Sequence, residues 1–324
     1  MSVLVYAESI DGTFHKPAFE ALTYGFDLAK KLGLPLHVVS ISNVAISNID
    51  ELGKYGATHF ITIVEPKLLN FYSGSFATAL SAAVNQVNAT IVILSASFAG
   101  KSIAPRLAAR WGASVVNNVS GLPNTEDGFV VKKSIYSGKG FGYFNILAPN
   151  KVISIGINSY HVTERQANLT TDVLNVEFSA QDFPLTVTET ERQKGKINLT
   201  EAERVVSAGR GMKGAENWGM VEELADLLNA ATACSKPVSD VGWRPHSEHV
   251  GQTGITIAPN LYIAIGISGA IQHLAGVSNS KVIVVINKDK DAPFFKAADY
   301  GIVGDAFDVL PKLIEAAKKV KANS

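Results

Sequence analysis

Cysteine is nearly absent from this chain: Cys234 is the only one in 324 residues. That excludes an internal disulfide and any multi-cysteine zinc or iron–sulfur site, and it fits a reducing compartment. Net charge is absent as well. Lys and Arg total 29 and Asp and Glu total 29, so no global field draws the chain to nucleic acid or to an anionic membrane surface. Long apolar runs are missing too. The most apolar stretch, Leu261 to Val277, is broken by Gly, Ser, Gln272 and His273, short of the ~18 residues expected of a spanning helix. Direct membrane insertion is therefore not expected. The opening Met1 to Glu8 reads as a first strand, without the profile of a signal peptide or of an Arg-rich transit peptide. A cytoplasmic location follows as an expectation, and the Asn-x-Ser/Thr sequons at Asn88, Asn118, Asn168 and Asn198 carry no weight.

What is present is a core. The chain is 47% hydrophobic and 18% charged, the balance of a globular protein, and its length suits two domains. Its first part alternates strand-like and helix-like segments. Val3–Ala7, Leu36–Ile41, Phe60–Val64 and Ile91–Ser95 read as strands. Lys16 to Leu32 has helical spacing and meets a natural stop at Gly33; Phe76–Val87 and Ile103–Trp111 read as further helices. Continuous apolar strands alternating with helices argue a parallel sheet covered on both faces. After Val115 the pattern changes to Phe129–Ile135, Gly142–Leu147, Lys151–Ile157 and Leu174–Phe178, and the last three look like an antiparallel addition to that sheet. The polar run Thr186–Ile197 carries the domain boundary, near Gly195, giving domains 1–194 and 195–324. Alternation then resumes, with strands at Arg204–Ala208, Leu261–Ile267, Val282–Asn287 and Gly301–Val303. Helices are read at Trp218–Leu228, from Ser268 and over Ala306–Lys319. The fold class is α/β, with two doubly wound domains.

Open parallel sheets bind ligands at the carboxyl ends of their strands, where backbone N–H groups and the helix dipole favour an anion. The second half places small polar residues at such ends: Gly209-Arg210-Gly211, Gly266 to Ala270, Asn287 and Gly304-Asp305. A diphosphate with a ribose suits this set. Gly permits close backbone approach, Ser268 and Arg210 can bind phosphate, and Asn287 and Asp305 can hydrogen-bond an adenosine. The first half offers nothing comparable; its Gly138-Lys-Gly140-Phe-Gly142 reads as a turn between strands.

These residues stand in longer stretches. Gly209-Arg-Gly-Met-Lys213, Val250-Gly-Gln-Thr-Gly254 and Tyr262-Ile-Ala-Ile-Gly-Ile-Ser-Gly-Ala-Ile-Gln-His-Leu-Ala-Gly276, continued by Val282 to Asp289 and Ala298 to Asp305, resemble the signature of the electron-transfer flavoprotein alpha subunit. The resemblance is continuous over about residues 204–310, and the first domain resembles the family in order of elements and in length. It implies an N-terminal nucleotide-hydrolase-like parallel sheet with an antiparallel addition, and a C-terminal FAD-binding Rossmann-like domain. It also implies an electron carrier without substrate turnover of its own. The implied cofactor is FAD and the implied partner a beta subunit in a heterodimer. The implied donors are dehydrogenases such as acyl-CoA dehydrogenases, and the acceptor a membrane quinone oxidoreductase. By position, Arg210, Ser235, Val250, Gly251, Gln252, Thr253, Ser268, Gly269, Ala270, Ile271, Gln272, His273, Asn287, Asp305 and Ala306 align with residues that line FAD in the family. Thr253 would serve the flavin N5 edge, His273 the C2 carbonyl near N1, Ser268 the pyrophosphate, and Asn287 and Asp305 the adenosine end. Reduction places negative charge around N1 and O2, which a donor or cation there stabilises. One position departs: where the family has Arg after the serine, this chain has Ser235-Lys236. The charge is kept, but the planar fork of Arg is replaced by a compact charge on a flexible stem. A polar hinge near Gly195 would let the flavin domain reorient.

Plainer readings stand beside these. Ser268, His273 and Asp305 could be imagined as a hydrolytic triad, but the elbow's last Gly is Ala270 and His273 follows the serine too closely. His246 and His249 flank a turn and read as surface residues, with His249 a possible flavin neighbour. His15, His37, His59 and His161 are dispersed, without metal spacing. Cys234 reads as a small buried hydrophobe, Trp243 and Tyr262 as packing residues, and Glu222-Glu223 as the solvated start of a helix. A nicotinamide-dependent oxidoreductase lacks the expected Gly-x-Gly-x-x-Gly with its distant acid. A nucleotide-binding module in the first domain lacks a phosphate loop.

Overall fold

Successive side chains of a strand point to opposite faces, and in β1 (Ser2–Tyr6) both faces are buried. Val3 and Val5 pack in one core cluster with Leu22 and Leu28, while Leu4 and Tyr6 pack in a second with Leu80 and Leu107. Such a strand belongs in the middle of a sheet covered by helices on both sides. The computed structural model describes residues 1–136, 140–190 and 197–322. It divides into two compact units, the first built from 1–135 and 140–191 and the second mainly from 192–324. The boundary read near Gly195 and the start of the turn at Gly138 lie outside the described residues.

The first unit adds to β1 the strands β2 (Leu36–Ser42), β3 (His59–Val64), β4 (Ala89–Ser95), β5 (Ser114–Val119), β6 (Val130–Ile135), β7 (Gly140–Asn145), β8 (Lys151–Ile155) and β9 (Thr170–Val173). One nine-stranded sheet results, in the order β9-β3-β2-β1-β4-β8-β5-β6-β7. Helix α1 (Lys16–Leu32) covers one face, with Pro17 in its first turn and Gly33 beyond its last. That glycine holds φ 66° and donates its N–H to the carbonyls of Ala29 and Lys30, the stop anticipated from the sequence. Helices α2 (Ser73–Gln86) and α3 (Phe98–Trp111) cover the other face.

The structure corrects the antiparallel addition. Among the described strands of this sheet only β6 and β7 are antiparallel, β7 pairing β6 and β6 touching β5. Strand β8 instead lies between β4 and β5 and runs parallel to both. Val152 and Ile153 are fully buried on opposite faces there, so a centre position completes both cores. Residues 174–178 are not a strand. The chain just before them, β9, pairs parallel with β3 at the sheet edge.

The second unit holds β10 (Arg204–Ala208), β11 (Ala231–Cys234), β12 (Leu261–Ile265), β13 (Val282–Asn287) and β14 (Tyr300–Val303), all parallel, in the order β11-β10-β12-β13-β14. Helices α4 (Gly219–Leu227) and α7 (Ala306–Ala322) pack on one face with Ile263 and Ile265. The opposite face, with Tyr262 and Ala264, carries α6 (Ile271–Val277) and the loop at Val250. The short α5 (Lys236–Asp240) follows β11. Helix α6 starts at Ile271 rather than Ser268: Gly269 has φ 83° and Ala270 is extended, so the chain cannot turn helical earlier. Among the described residues no helix is long and apolar enough to cross a membrane.

Candidate functional site

In the second sheet the chain leaves β10 toward β11 on one side and β12 on the other. The loops after β10 and β12 therefore diverge and leave a crevice outside the strand ends. A cavity of about 600 Å³ opens there, within the usual range for a ligand site. Every strand of the sheet except the edge strand β14 sends its carboxyl end, or the loop that follows, to its wall.

Glycine lets the loops around the cavity meet, and of those after β10 and β12 it is Gly266 that lines it. Gly209 and Gly211 follow β10, Gly266 follows β12 with φ 60°, and a Cβ on Gly211 would stand 2.6 Å from the Gly266 Cα. The two loops are thus in backbone contact, sealed by Gly211 N–H donating to the Gly266 carbonyl at 3.1 Å. A second contact of this kind fixes the opposite wall. A Cβ on Gly276 of α6 would meet the Gly251 Cα and N at 2.6 Å. Gln252 N–H donates to the Gln272 carbonyl at 2.7 Å, and Ile257 N–H to the Gly276 carbonyl at 2.9 Å. The loop bearing Thr253 and the helix bearing His273 are joined by main chain.

The residues anticipated from the sequence fall as follows. Arg210, Ser235, Lys236, Val250, Gly251, Gln252, Thr253, Ser268, Ala270, Gln272, His273 and Asn287 line the cavity. Gln252, Thr253, Ser268, Ala270 and Gln272 are exposed. Gly269 does not line it; a Cβ there would meet Phe294 at 2.5 Å, so it is a packing contact. Ile271 is exposed outside the lining. Asp305 and Ala306 are also apart from the cavity, since they follow the edge strand β14, two strands from the crevice. Asp305 accepts from Phe307 N–H at 3.0 Å and pairs with Lys213 at 3.6 Å. Those contacts hold its carboxyl below the usual range, the Phe307 N–H first and the Lys213 charge after it.

Several side chains at the wall are already engaged. Asn287 donates to the Ile267 carbonyl at 2.9 Å and accepts from Asp289 N–H at 3.0 Å, tying the end of β13 to the loop after β12. Lys236 Nζ sits 2.9 Å from both carboxylate oxygens of Asp240, one turn along α5. His273 is 7% exposed; its Nε2 lies 2.8 Å from the Tyr262 hydroxyl, and its Nδ1 is buried without a hydrogen bond. Burial first, then the neighbouring His249, pulls this imidazole down to about 4, so it is neutral at pH 7. A hydrolytic triad is removed, because the imidazole meets Tyr262 and Asp305 lies apart from the cavity.

The structure adds Pro237, His249, Gly266, Ile267 and Asp289 to the lining. His249 is buried, not a surface residue, and its burial lowers its pKa. The sequence signal for it was adjacency to Val250-Gly251. Three further readings are changed or extended, and the reading of Cys234 as a small buried hydrophobe holds. Tyr262 is a fully buried packing residue, but its hydroxyl is also in use. Glu222 and Glu223 are paired, with Arg244 at 2.7 Å and Lys318 at 2.6 Å. His37 and His59 meet at 2.7 Å across neighbouring strands, although no group of residues able to hold a metal occurs among the described residues. Cys234 is buried, and desolvation pushes its thiol up to about 12, which makes it unreactive.

Residues 198–278 match the family model described as the electron transfer flavoprotein FAD-binding domain, and residues 3–181 match the electron transfer flavoprotein domain. The chain is 36% identical to the electron transfer flavoprotein subunit alpha of Bacillus subtilis, over 99% of each chain. It is 34% identical to the protein of that name from Thermoanaerobacterium thermosaccharolyticum, over 98% of each. It is 32% identical to protein FixB of Clostridium saccharobutylicum, over 98% of this chain and 96% of the relative.

Proposed function

The chain belongs to the electron transfer flavoprotein alpha-subunit family, with FAD as its cofactor, and from that premise we propose a carrier that takes electrons from dehydrogenases and hands them on. Acyl-CoA dehydrogenases are the donor class, and a membrane quinone oxidoreductase is the acceptor. In this reading residues 195–324 hold the flavin, residues 1–194 meet the beta subunit, and the chain performs no substrate turnover of its own in the cytoplasm.

The observation that carries the reading is the crevice at the divergence of β10 and β12, with glycine in the loops after both strands. Its chemistry fits a flavin dinucleotide. The contact of Gly211 with Gly266 lets main chain approach a diphosphate as no side chain would allow. Arg210 and the exposed Ser268 supply charge and a hydroxyl at that end. The buried Nδ1 of His273, without a hydrogen bond in the chain, suits a ring that offers acceptors. When bound, FAD supplies one- and two-electron transfer. The chain's residues would orient it: Thr253 toward the N5 edge, His273 toward the C2 carbonyl, and Ser268 toward the pyrophosphate. Asn287 would serve the adenosine end through the amide valences left by its two backbone bonds. Asp305, Ala306 and Gly269 would act from behind the lining, through backbone and packing, and Ile271 from the exposed surface beside it. Lys236, held by Asp240, would give the flavin a partly neutralised compact charge where the family has the planar fork of Arg.

The experiment is co-purification with the beta subunit, a count of FAD and AMP in the complex, and reduction by an acyl-CoA with its dehydrogenase. Flavin bands that bleach with substrate and return on adding the quinone oxidoreductase are expected. A complex free of flavin, or one that no dehydrogenase reduces, overturns the proposal. Lys236→Arg should change both one-electron potentials, measured by spectroelectrochemistry; unchanged values reject the role given to Lys236.

A further inference from the structure

Arg244 does not line the cavity, yet it makes three charge-assisted hydrogen bonds just behind the wall. Its Nε and Nη2 donate to the two carboxylate oxygens of Glu248, each at 2.7 Å, and its Nη1 donates to Glu222 of α4, also at 2.7 Å. The guanidinium lies over the Trp218 ring, 5.6 Å from its centre. The roles are fixed by the groups themselves, since a guanidinium only donates and an ionised carboxylate only accepts. The side chains of Arg244 and Glu248 are 13% and 5% exposed, so the parallel pair of bonds works largely out of water, where such bonds are strong. Apolar side chains of the same bulk often stabilise a fold as much. What the fork adds is one fixed geometry.

That geometry bears on the wall. Glu248 ends the turn His246–Glu248, and the five residues after it, His249 to Thr253, all line the cavity. The far end of this stretch is joined to α6 by main chain, through Gly251 and Gln252. At the near end His249 bridges to Cys234, and Val250 N–H donates to the Cys234 carbonyl at 3.0 Å. Glu248 adds a side-chain anchor there, and Arg244 carries that anchor across to α4. Helices α4 and α6 pack on opposite faces of the sheet. The wall stretch is thus tied to both.

We propose that Arg244 is a positioning residue: its fork ties the turn before the wall to α4 and so sets where His249–Thr253 stand against the bound cofactor. This rests on the reading that the cavity holds FAD, with Thr253 toward the N5 edge. Donors held in place before reduction need no rearrangement when negative charge develops on the ring. Without the fork the stretch keeps its main-chain bonds but loses its tie to α4, and it opens more often.

The test uses the full chain with its beta subunit and FAD. Hydrogen exchange is read at the amides of Val250 and Ile255, both bonded within the wall region, and beside them at amides of β12 and β13. In Arg244→Gln the wall amides should exchange about tenfold to a hundredfold faster, the worth of a hydrogen bond to a charged group, while β12 and β13 keep their protection. FAD should dissociate faster, and the flavin midpoint potential should fall. Arg244→Lys keeps the charge and loses the fork; smaller changes of the same kind are expected, and a potential that still falls there reports geometry rather than charge. Glu222→Gln removes only the exposed arm and should change the exchange by less than about fivefold. Wall exchange unchanged in Arg244→Gln, or a potential unchanged in Arg244→Lys, overturns the proposal. Equal acceleration across the whole sheet also overturns it, because the fork would then be a general stabiliser. If Arg244→Gln does not fold, the exchange and the potential of Arg244→Lys decide. A wild-type complex that carries no flavin defeats the reading of the cavity; wall exchange, which needs no flavin, judges the Arg244 fork separately.

Discussion

The two units are variations on one plan, a parallel sheet with helices on both faces, and they treat their central crevices differently. In the first unit β1 has β2 on one side and β4 on the other, so its switch point lies between β1 and β4. The side chains beyond those strands close it: Ser97 donates to the Glu8 carboxylate at 2.5 Å and accepts from Gly100 N–H at 2.9 Å. A carboxylate stands where a phosphate would need donors. In the second unit the equivalent place has glycine on both loops and Arg210, Ser268 and His273 at the wall. The sheet topology sets where a ligand could go; the few residues after the strands decide whether one is admitted.

The strongest way to break this contrast is to close the second crevice. Gly266→Val places a branched side chain at φ 60° and brings its Cβ to about the 2.7 Å that separates an ideal Cβ from Gly211 Cα. We expect a cost of about 3 kcal/mol, roughly a hundredfold loss of FAD affinity, measured as flavin retained after desalting. Circular dichroism should show the first unit still folded.

Lowering the pH gives the next effect. His273 is pulled from 6.5 to about 4 by burial. Between those values the unfolded chain takes up the proton and the folded chain does not. Stability therefore falls as pH drops through that window, by up to about 3 kcal/mol. Chemical denaturation at several pH values would show it, in a Trp111→Phe background so that Trp218 and Trp243 report the second unit alone. His273→Gln should flatten the slope. The first unit has a weaker counterpart, His37, whose burial acts in the same direction.

Asp240→Asn sharpens the contrast by freeing the Lys236 charge. Its effect on FAD affinity should stay below about fivefold, because the pair is solvent-exposed. The flavin potential should rise, read by redox titration. The smallest effect belongs to the first unit: Ser97→Ala removes the cap of α3 and the bond to Glu8. It should cost that unit about 1 kcal/mol in urea denaturation while leaving the FAD content of the complex unchanged.

Local signals were legible where local physics decides. Pro17 and Gly33 bracket α1, and apolar runs locate β10 and β13. The strand β11 escaped notice because Ala231-Thr-Ala-Cys234 is built of small residues with little strand preference. The place of β8 depends on pairing with strands far away in sequence, which periodicity does not encode. In the site, the motif stretches named most of the cavity wall, since they lie just beyond the strand ends. What they did not reveal was where each side chain's hydrogen bonds go. Asn287 is spent on main chain, Lys236 on Asp240 and His273 on Tyr262, partners fixed by the register and by helix phase. The adjacency of His37 and His59 has the same origin: their strands must first be aligned.

The joint between Gly251 and Gly276 bears on how the cofactor arrives. Thr253 and His273 ride on one block of main chain, so that loop and helix would move together. Exchange of flavin would then have to wait for that block to come loose from the sheet. The dissociation rate should track the local opening of α6 seen in hydrogen exchange, and the flavin would behave as a built-in part of the unit.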